Sequence, residues 1–195
     1  MSSGPAPGEP DVSRPHASMW NVANLLTALR LVMVPVIIWL LLREGDWRKL
    51  AFVLFLLASV TDLADGELAR RRGLVTDFGK IADPIADKAL TGGALISLSA
   101  LSLLSWWVTA VILVREIGIT VLRFWVIRQG VIAASRGGKI KTVLQVVAIA
   151  LYILPLDGLW VPTRAAVMYA AVAITVITGA DYVLRAIRMR SDPEH

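Results

Sequence analysis

The chain has 195 residues, 56% of them hydrophobic, and a mean hydropathy of +0.67. Soluble domains sit nearer roughly 45–50% apolar, so one compact membrane domain fits better than a soluble enzyme. Cysteine is absent, which excludes disulfides, thiolate metal sites and cysteine nucleophiles. The net charge of +5 points to anionic partners. Because the basic residues lie at the ends of apolar runs, lipid head groups and phosphorylated substrates fit, and nucleic acid does not.

Residues 1–18 hold Pro5, Pro7, Pro10 and Pro15 with little to bury, and are expected to form a disordered tail. A secretory signal is not expected there: a basic leader is missing and the apolar run that follows is too long. Residues 19–188 read as a single six-helix membrane domain, and 189–195 as a short charged tail. Met19 to Asn24 suits a short interfacial helix with Trp20 at head-group level.

The first span runs from about Asn24 to Leu42, with Pro35 expected to kink it. A polar link, Arg43 to Lys49, leads to a second span that begins near Leu50, is apolar to Val60 and turns polar from Thr61. A helix apolar in one half and acidic in the other suggests a cavity open to water on one side. Arg71, Arg72 and Gly73 close it, and Leu74 to Phe78 make the connection. The third span starts near Gly79, with Pro84 close to its beginning, where proline is best tolerated.

From Lys88 to Arg128 is 40 residues, which as one helix would measure about 60 Å, twice a bilayer core of about 30 Å. The chain must turn in between, and Ser102, Ser105, Trp106 and Trp107 mark the place. A fourth span follows to Arg128, then a loop, Gln129 to Lys139, carrying Gly130, Gly137 and Gly138. The fifth span covers about Ile140 to Leu156 and the sixth about Arg164 to Ile187.

With six spans, Arg14, Arg70, Arg71, Arg72, Lys80, Arg128, Arg136, Lys139, Lys141, Arg185, Arg188 and Arg190 fall on one side. The other side holds Arg43, Arg48, Lys49 and Arg164. Lys and Arg mark the cytoplasmic side, so a multi-pass protein of the cell membrane with both termini cytoplasmic is expected.

The most informative stretch is Asp62 to Asp87. Asp62, Asp65, Gly66, Ala69 and Arg70 recur at helical spacing on one stripe, and Gly79, Asp83 and Asp87 on a second. If the two stripes meet, four carboxylates converge beside backbone left bare by Gly66 and Gly79. Like charges cannot share a small volume without a cation among them. Carboxylates together with a substrate's phosphates are the usual setting for Mg²⁺. A solvated helix end would be the ordinary explanation for one Asp pair, but carboxylates joined to apolar segments are costly and functional by default.

The full pattern, D-x2-D-G-x2-A-R-x8-G-x3-D-x3-D, resembles the signature of the CDP-alcohol phosphotransferases, integral membrane enzymes of phospholipid synthesis, and fills every position of it. The resemblance runs from about Asn24 to Arg185. The less specific motifs N-L-L-T-A-L-R (Asn24 to Arg30), R-E-I (Arg115 to Ile117) and G-K-I-K-T (Gly138 to Thr142) look most like the branch whose acceptor is sn-glycerol 3-phosphate.

That resemblance implies an all-α membrane fold of six transmembrane helices, with an active site in a cavity open to the cytoplasm. It implies transfer of a phosphatidyl group from CDP-diacylglycerol to the acceptor, with release of CMP. Asp62, Asp65 and Asp83 are expected to hold Mg²⁺ or Mn²⁺, two ions per site, with Asp87 at the second ion. The resemblance makes Asp87 also the acceptor of the hydroxyl proton; geometry alone does not choose it over Asp83. Gly66 lets the diphosphate or cytidine approach the backbone, Arg70 pairs with phosphate, and Asp65, Ala69, Gly79, Thr76, Thr27 and Arg30 are further candidates toward the nucleotide lipid. A plain loop role serves Thr76 equally, and helix-start chemistry serves Thr27.

The acceptor's phosphate needs a basic pocket, for which Arg115, Arg123, Lys139, Lys141 and Arg185 are the candidates. An ion pair with Glu116 competes for Arg115, and one with Asp181 for Arg185. Arg123, deep in an apolar helix, fits a polar cavity. The family resemblance also implies a homodimer among membrane lipids, for which Gly92, Gly93 and Ala94 offer close packing. Rival readings keep the chemistry with phosphatidylglycerol, inositol phosphate or serine as acceptor, or make the aspartates a divalent-cation transport site.

Overall fold

Among the described residues six α-helices follow in order: α1 Val22–Leu41, α2 Trp47–Arg72, α3 Asp77–Ala100, α4 Trp106–Val126, α5 Arg136–Ile153 and α6 Trp160–Ser191. The structure is a computed structural model describing residues 22–43, 45–72, 77–126 and 136–191. At 22–24, 63–72, 77–81, 123–126, 136–139, 186 and 188–191 the description is of the backbone. No strand occurs among the described residues.

Three short links turn the chain at one end of the bundle. Gly45 takes φ 78° between α1 and α2, and Gly158 φ 62° between α5 and α6, a region that costs a glycine nothing. Between α3 and α4, Ser102 adopts φ 57°, and the Ser105 carbonyl accepts from the Val108 N–H at 3.0 Å as α4 begins. The turn expected near Ser102 to Trp107 is therefore residues 101–105.

Helix α1 packs on α2 and α3, α5 on α6 and α2, and α4 on α6 and α3. The buried apolar core joins Ile37 and Leu41 of α1, Phe55 of α2, Leu95 and Leu98 of α3, Ile112 of α4, Ile149 and Ile153 of α5, and Met168 of α6. Nearly all of it lies in the half of the bundle nearest the three links. The opposite half, built from the start of α1, the end of α2 and the starts of α3 and α5, is where the charged residues collect. This division follows from the sequence, since α2 is apolar to Val60 and acidic beyond it.

Large apolar side chains are also exposed on every helix, among them Val32, Leu57, Ile96, Val121, Val143 and Ile177. An apolar exterior of this extent suits lipid rather than water. Among the described residues one segment, Trp160–Arg185, is by itself long and apolar enough to cross a membrane. Leu25–Leu41 and Ile140–Ile153 are shorter apolar helices, and α2 and α3 carry the carboxylates of the motif.

Several boundaries differ from the sequence reading, among them the start of α2, which is Trp47 and so takes in the end of the expected polar link. Helix α5 starts at Arg136, so Gly137, Gly138 and Lys139 form its first turn instead of ending a loop. The first turn of a helix tolerates glycine because its N–H groups have no intrahelical partner to lose. Helix α3 starts at Asp77, which places Pro84 about two turns in, where its ring leaves the Lys80 carbonyl without a helical donor. Helix α6 begins at Trp160, a turn before Arg164.

The small residues of α3 serve contacts within the chain. A Cβ on Gly93 would lie 2.8 Å from Ile38 Cδ1 of α1, and one on Gly92 would lie 3.2 Å from Leu113 Cδ2 of α4. Ala94 is in the core. Gly93→Val is expected to force α1 off α3 and to destabilise the fold by about 1–3 kcal/mol, the usual cost of overpacking. Thermal unfolding in detergent checks this; an unchanged midpoint contradicts the close approach.

Candidate active site

Helix α1 fastens the two acidic helices to one face. Thr27 and Arg30 are three residues apart, so they share a side of α1. Thr27 Oγ1 donates to Asp83 Oδ1 on α3, and Arg30 Nη1 reaches Asp62 Oδ1 on α2 at 2.6 Å. Both α1 residues are 3% exposed. Thr27 is the sixth residue of α1, so its hydroxyl is a tertiary contact and not a helix cap. Asp62 of the first stripe and Asp83 of the second are thus both anchored on one side of α1.

Asp65, Gly66, Ala69 and Arg70 continue α2 beyond Asp62, and Gly79 lies in the first turn of α3. Their side-chain positions lie outside the described residues, as does Thr76 altogether. Among the described residues no three acidic or histidine side chains form a cation cage by themselves. The donor chemistry nonetheless fits a hard divalent cation. Asp62, Asp83 and Asp87 offer oxygen alone, the chain has no cysteine, and Thr27 and Arg30 fix the orientation of two of the carboxylates.

Asp87, one turn beyond Asp83, opens onto a cavity of about 100 Å³ between α3, α4 and α5, which also takes in Lys88, Thr91, Glu116, Lys141 and Gln145. Glu116 is its electrostatic hub. Lys141 Nζ donates to Glu116 Oε1, and Arg115 Nη1 approaches the same oxygen at 3.2 Å. Arg115 Nη2 also donates to Thr178 Oγ1 of α6 at 3.1 Å. With Asp87 and Lys88 also on the lining, Arg115 behind Glu116 tips the balance of formal charge in this small chamber to positive, and Leu113, Ile117 and Val146 make much of the remaining wall apolar. The fit around Arg115 is tight, since a Cβ on Gly179 would stand 3.0 Å from its Cγ.

The basic residues predicted for the acceptor therefore separate. Arg115 and Lys141 meet at Glu116, with Lys141 lining the cavity. Arg185 is exposed and pairs with Asp181 at 3.0 Å, the local alternative weighed for it. Arg123 sits near the end of α4 and Lys139 in the first turn of α5, their side chains outside the described residues.

Gln145 was missed in the sequence. It lies one turn after Lys141, lines the cavity, is 5% exposed, and its Oε1 is buried without a hydrogen-bond partner. Helical spacing from Lys141 was the only signal for it. Glu116, read only as a partner for Arg115, turns out to organise the chamber.

Residues 20–177 match the profile of the CDP-alcohol phosphatidyltransferase family. The chain belongs to that family, whose members transfer phosphatidyl groups from CDP-alcohol donors. Among its relatives, a probable phosphatidylglycerophosphate synthase of Mycobacterium tuberculosis (strain ATCC 25618 / H37Rv) is 54% identical over 177 residues, covering 89% of this chain and 85% of the relative. A CDP-diacylglycerol–glycerol-3-phosphate 3-phosphatidyltransferase of Bacillus subtilis (strain 168) is 36% identical over 181 residues, covering 84% and 94%. The Escherichia coli (strain K12) protein of the same name is 35% identical over 176 residues, covering 87% and 96%.

Proposed function

We propose that this chain transfers the phosphatidyl group of CDP-diacylglycerol to sn-glycerol 3-phosphate, giving phosphatidylglycerophosphate and CMP. The observation that carries the reading is the juxtaposition of Asp62 and Asp83 on one wall with a basic chamber that begins at Asp87. The relatives' names supply the acceptor.

The acceptor hydroxyl attacks the lipid-side phosphorus, the bond from that phosphorus to the bridging diphosphate oxygen breaks, and CMP leaves. Asp87 takes the hydroxyl proton, lying where the carboxylate stripe meets the chamber. Gly66 and Gly79 leave room for the diphosphate and Arg70 pairs with it, while Asp65 and Ala69 complete the α2 stripe beside it. Thr76 is assigned to the nucleotide. Thr27 and Arg30 act by orienting Asp83 and Asp62. Held by Asp62, Asp65, Asp83 and Asp87, two Mg²⁺ or Mn²⁺ ions would neutralise charge on the attacking and leaving oxygens.

Lys141 and Arg115 attract the acceptor's phosphate, with Arg123 and Lys139 at the chamber's cytoplasmic approach. Gln145 offers its amide to a glycerol hydroxyl. Arg185 stands at the rim. The six helices span the membrane with both termini in the cytoplasm, the tails 1–18 and 189–195 outside the catalytic domain, and the chain pairs as a homodimer. Lys/Arg asymmetry supports this orientation, since the aspartates lie at the basic end.

The test is purified protein with labelled CDP-diacylglycerol and a panel of alcohols. CMP and phosphatidylglycerophosphate are expected with glycerol 3-phosphate and not with phosphatidylglycerol, inositol phosphate or serine. Chelator is expected to stop the reaction and Mg²⁺ or Mn²⁺ to restore it. Turnover in excess chelator, or preference for another alcohol, contradicts the proposal.

A further inference from the structure

At the end of the bundle opposite the aspartates, two arginines lack a carboxylate partner among the described residues. Arg48, in the first turn of α2, donates from Nη2 to the backbone carbonyl of Tyr152 at 2.9 Å, near the end of α5. Arg164, in the second turn of α6, holds its guanidinium 5.1 Å from the centre of the Tyr152 ring. Two guanidiniums from different helices thus converge on one tyrosine and feel each other's charge.

Neither makes an ion pair with a described carboxylate. Asp46 is engaged by Lys49 at 2.7 Å, and Asp157, the other described acid at this end, makes no ion pair with either arginine. Arg48 Nε is buried and makes no hydrogen bond. Like charges brought together at a half-buried site repel, and each has given up part of its hydration. An anion bound between them would offset both costs.

The surroundings say which anion. Trp39 and Trp47 pack edge to face at 6.1 Å, and Trp107 stacks on Tyr169 at 6.0 Å. Trp39, Trp47, Trp106, Trp107 and Trp160, five of the chain's seven tryptophans, are exposed at this same end. A ring of exposed tryptophan marks head-group depth. The anion available at that depth is a lipid phosphate, which a guanidinium fork matches in shape. A zwitterionic head group would bring its ammonium toward the second arginine, so the pair favours a lipid with net negative charge.

We propose that Arg48 and Arg164 bind the phosphodiester of an anionic phospholipid in the leaflet opposite the aspartate site, clasping α2 and α6 to the end of α5. Occupancy stabilises the link end of the bundle and takes no part in the chemistry.

The test uses the full chain in neutral detergent. At a hundred-fold excess over its Kd, phosphatidylglycerol is expected to raise the unfolding midpoint by roughly 5–10 °C, while phosphatidylcholine and inorganic phosphate leave it unchanged. Arg164→Gln is expected to abolish most of that rise, to lose one bound anionic lipid in native mass spectrometry, and to keep its phosphatidyl transfer rate. Arg48→Gln should behave alike; because it also loses the Tyr152 carbonyl contact, Arg164→Gln decides the matter if Arg48→Gln fails to fold. A full rise in Arg164→Gln, or an equal rise with phosphatidylcholine, overturns the proposal. An equal rise with inorganic phosphate overturns the lipid as its occupant. The lipid count does not depend on the acceptor or on turnover, so it stands or falls apart from the proposed transfer reaction.

Discussion

Asp83→Asn is expected to lower CMP release from CDP-diacylglycerol by at least roughly a hundred- to a thousand-fold while the protein still folds. The two halves of that expectation have separate causes. Asn keeps the shape of the side chain and an amide oxygen able to accept from Thr27 Oγ1, so the contact between α1 and α3 survives. What goes is a full negative charge at the centre of the acidic wall. Removing one fixed electrostatic contact to a transition state costs about 10²–10³ in rate where it has been isolated. Phosphoryl transfer relies almost wholly on such contacts and on positioning. CMP release and the unfolding midpoint, measured on the same preparation, check both halves. Turnover within a few-fold of the parent contradicts the role of Asp83; a collapsed midpoint would instead make it a structural residue.

The second large effect is expected from Lys141→Met, which acts on binding and stability together. Lys141 is buried, and its ammonium shares the Glu116 carboxylate with Arg115. Taking it away leaves Glu116, with a side chain only 15% exposed, partnered by the more distant Arg115 at 3.2 Å. Breaking a buried pair by removing one member costs about 3–5 kcal/mol, and the surviving arginine reduces that toward the lower end. The chamber also loses a charge-assisted contact to the acceptor's phosphate, about 1.5–3 kcal/mol, or roughly ten- to a hundred-fold in the KM for glycerol 3-phosphate. The KM for CDP-diacylglycerol should barely move, because its diphosphate is held at the carboxylate wall. Equal changes in both KM values contradict the division between wall and chamber. Lys141→Met with Glu116→Gln is expected to recover stability without recovering the acceptor KM, which separates the two effects.

The elements of this architecture were largely legible because they are local. The apolar half of α2 and the tryptophan-marked turn at 101–105 follow from helical periodicity and from the length a bilayer permits. The start of α5 was not. Gly137 and Gly138 read as loop by propensity, yet glycine's low propensity matters little in a first turn.

Contacts between helices were the other gap. Thr27 and Asp83 are 56 residues apart, and Lys141 and Glu116 are 25 apart. Periodicity assigns a side chain to a face but does not say which face meets which. Glu116 shows the consequence. The sequence pairs it with its neighbour Arg115, and the fold adds Lys141 from another helix, making one carboxylate the centre of a basic chamber. Gln145 is invisible for the same reason, being one more polar residue on an apolar helix until α3 and α4 close around it.

The central claim is that the carboxylates of α2 and α3 act as one cation site. Counting bound Mn²⁺ by electron paramagnetic resonance on the purified full chain tests it most directly, with no turnover required. Two ions per chain are expected for the parent protein, and a clear loss for both Asp62→Asn on α2 and Asp83→Asn on α3. Undiminished Mn²⁺ binding in either variant would mean that the two helices do not share the ions, and the account would be wrong.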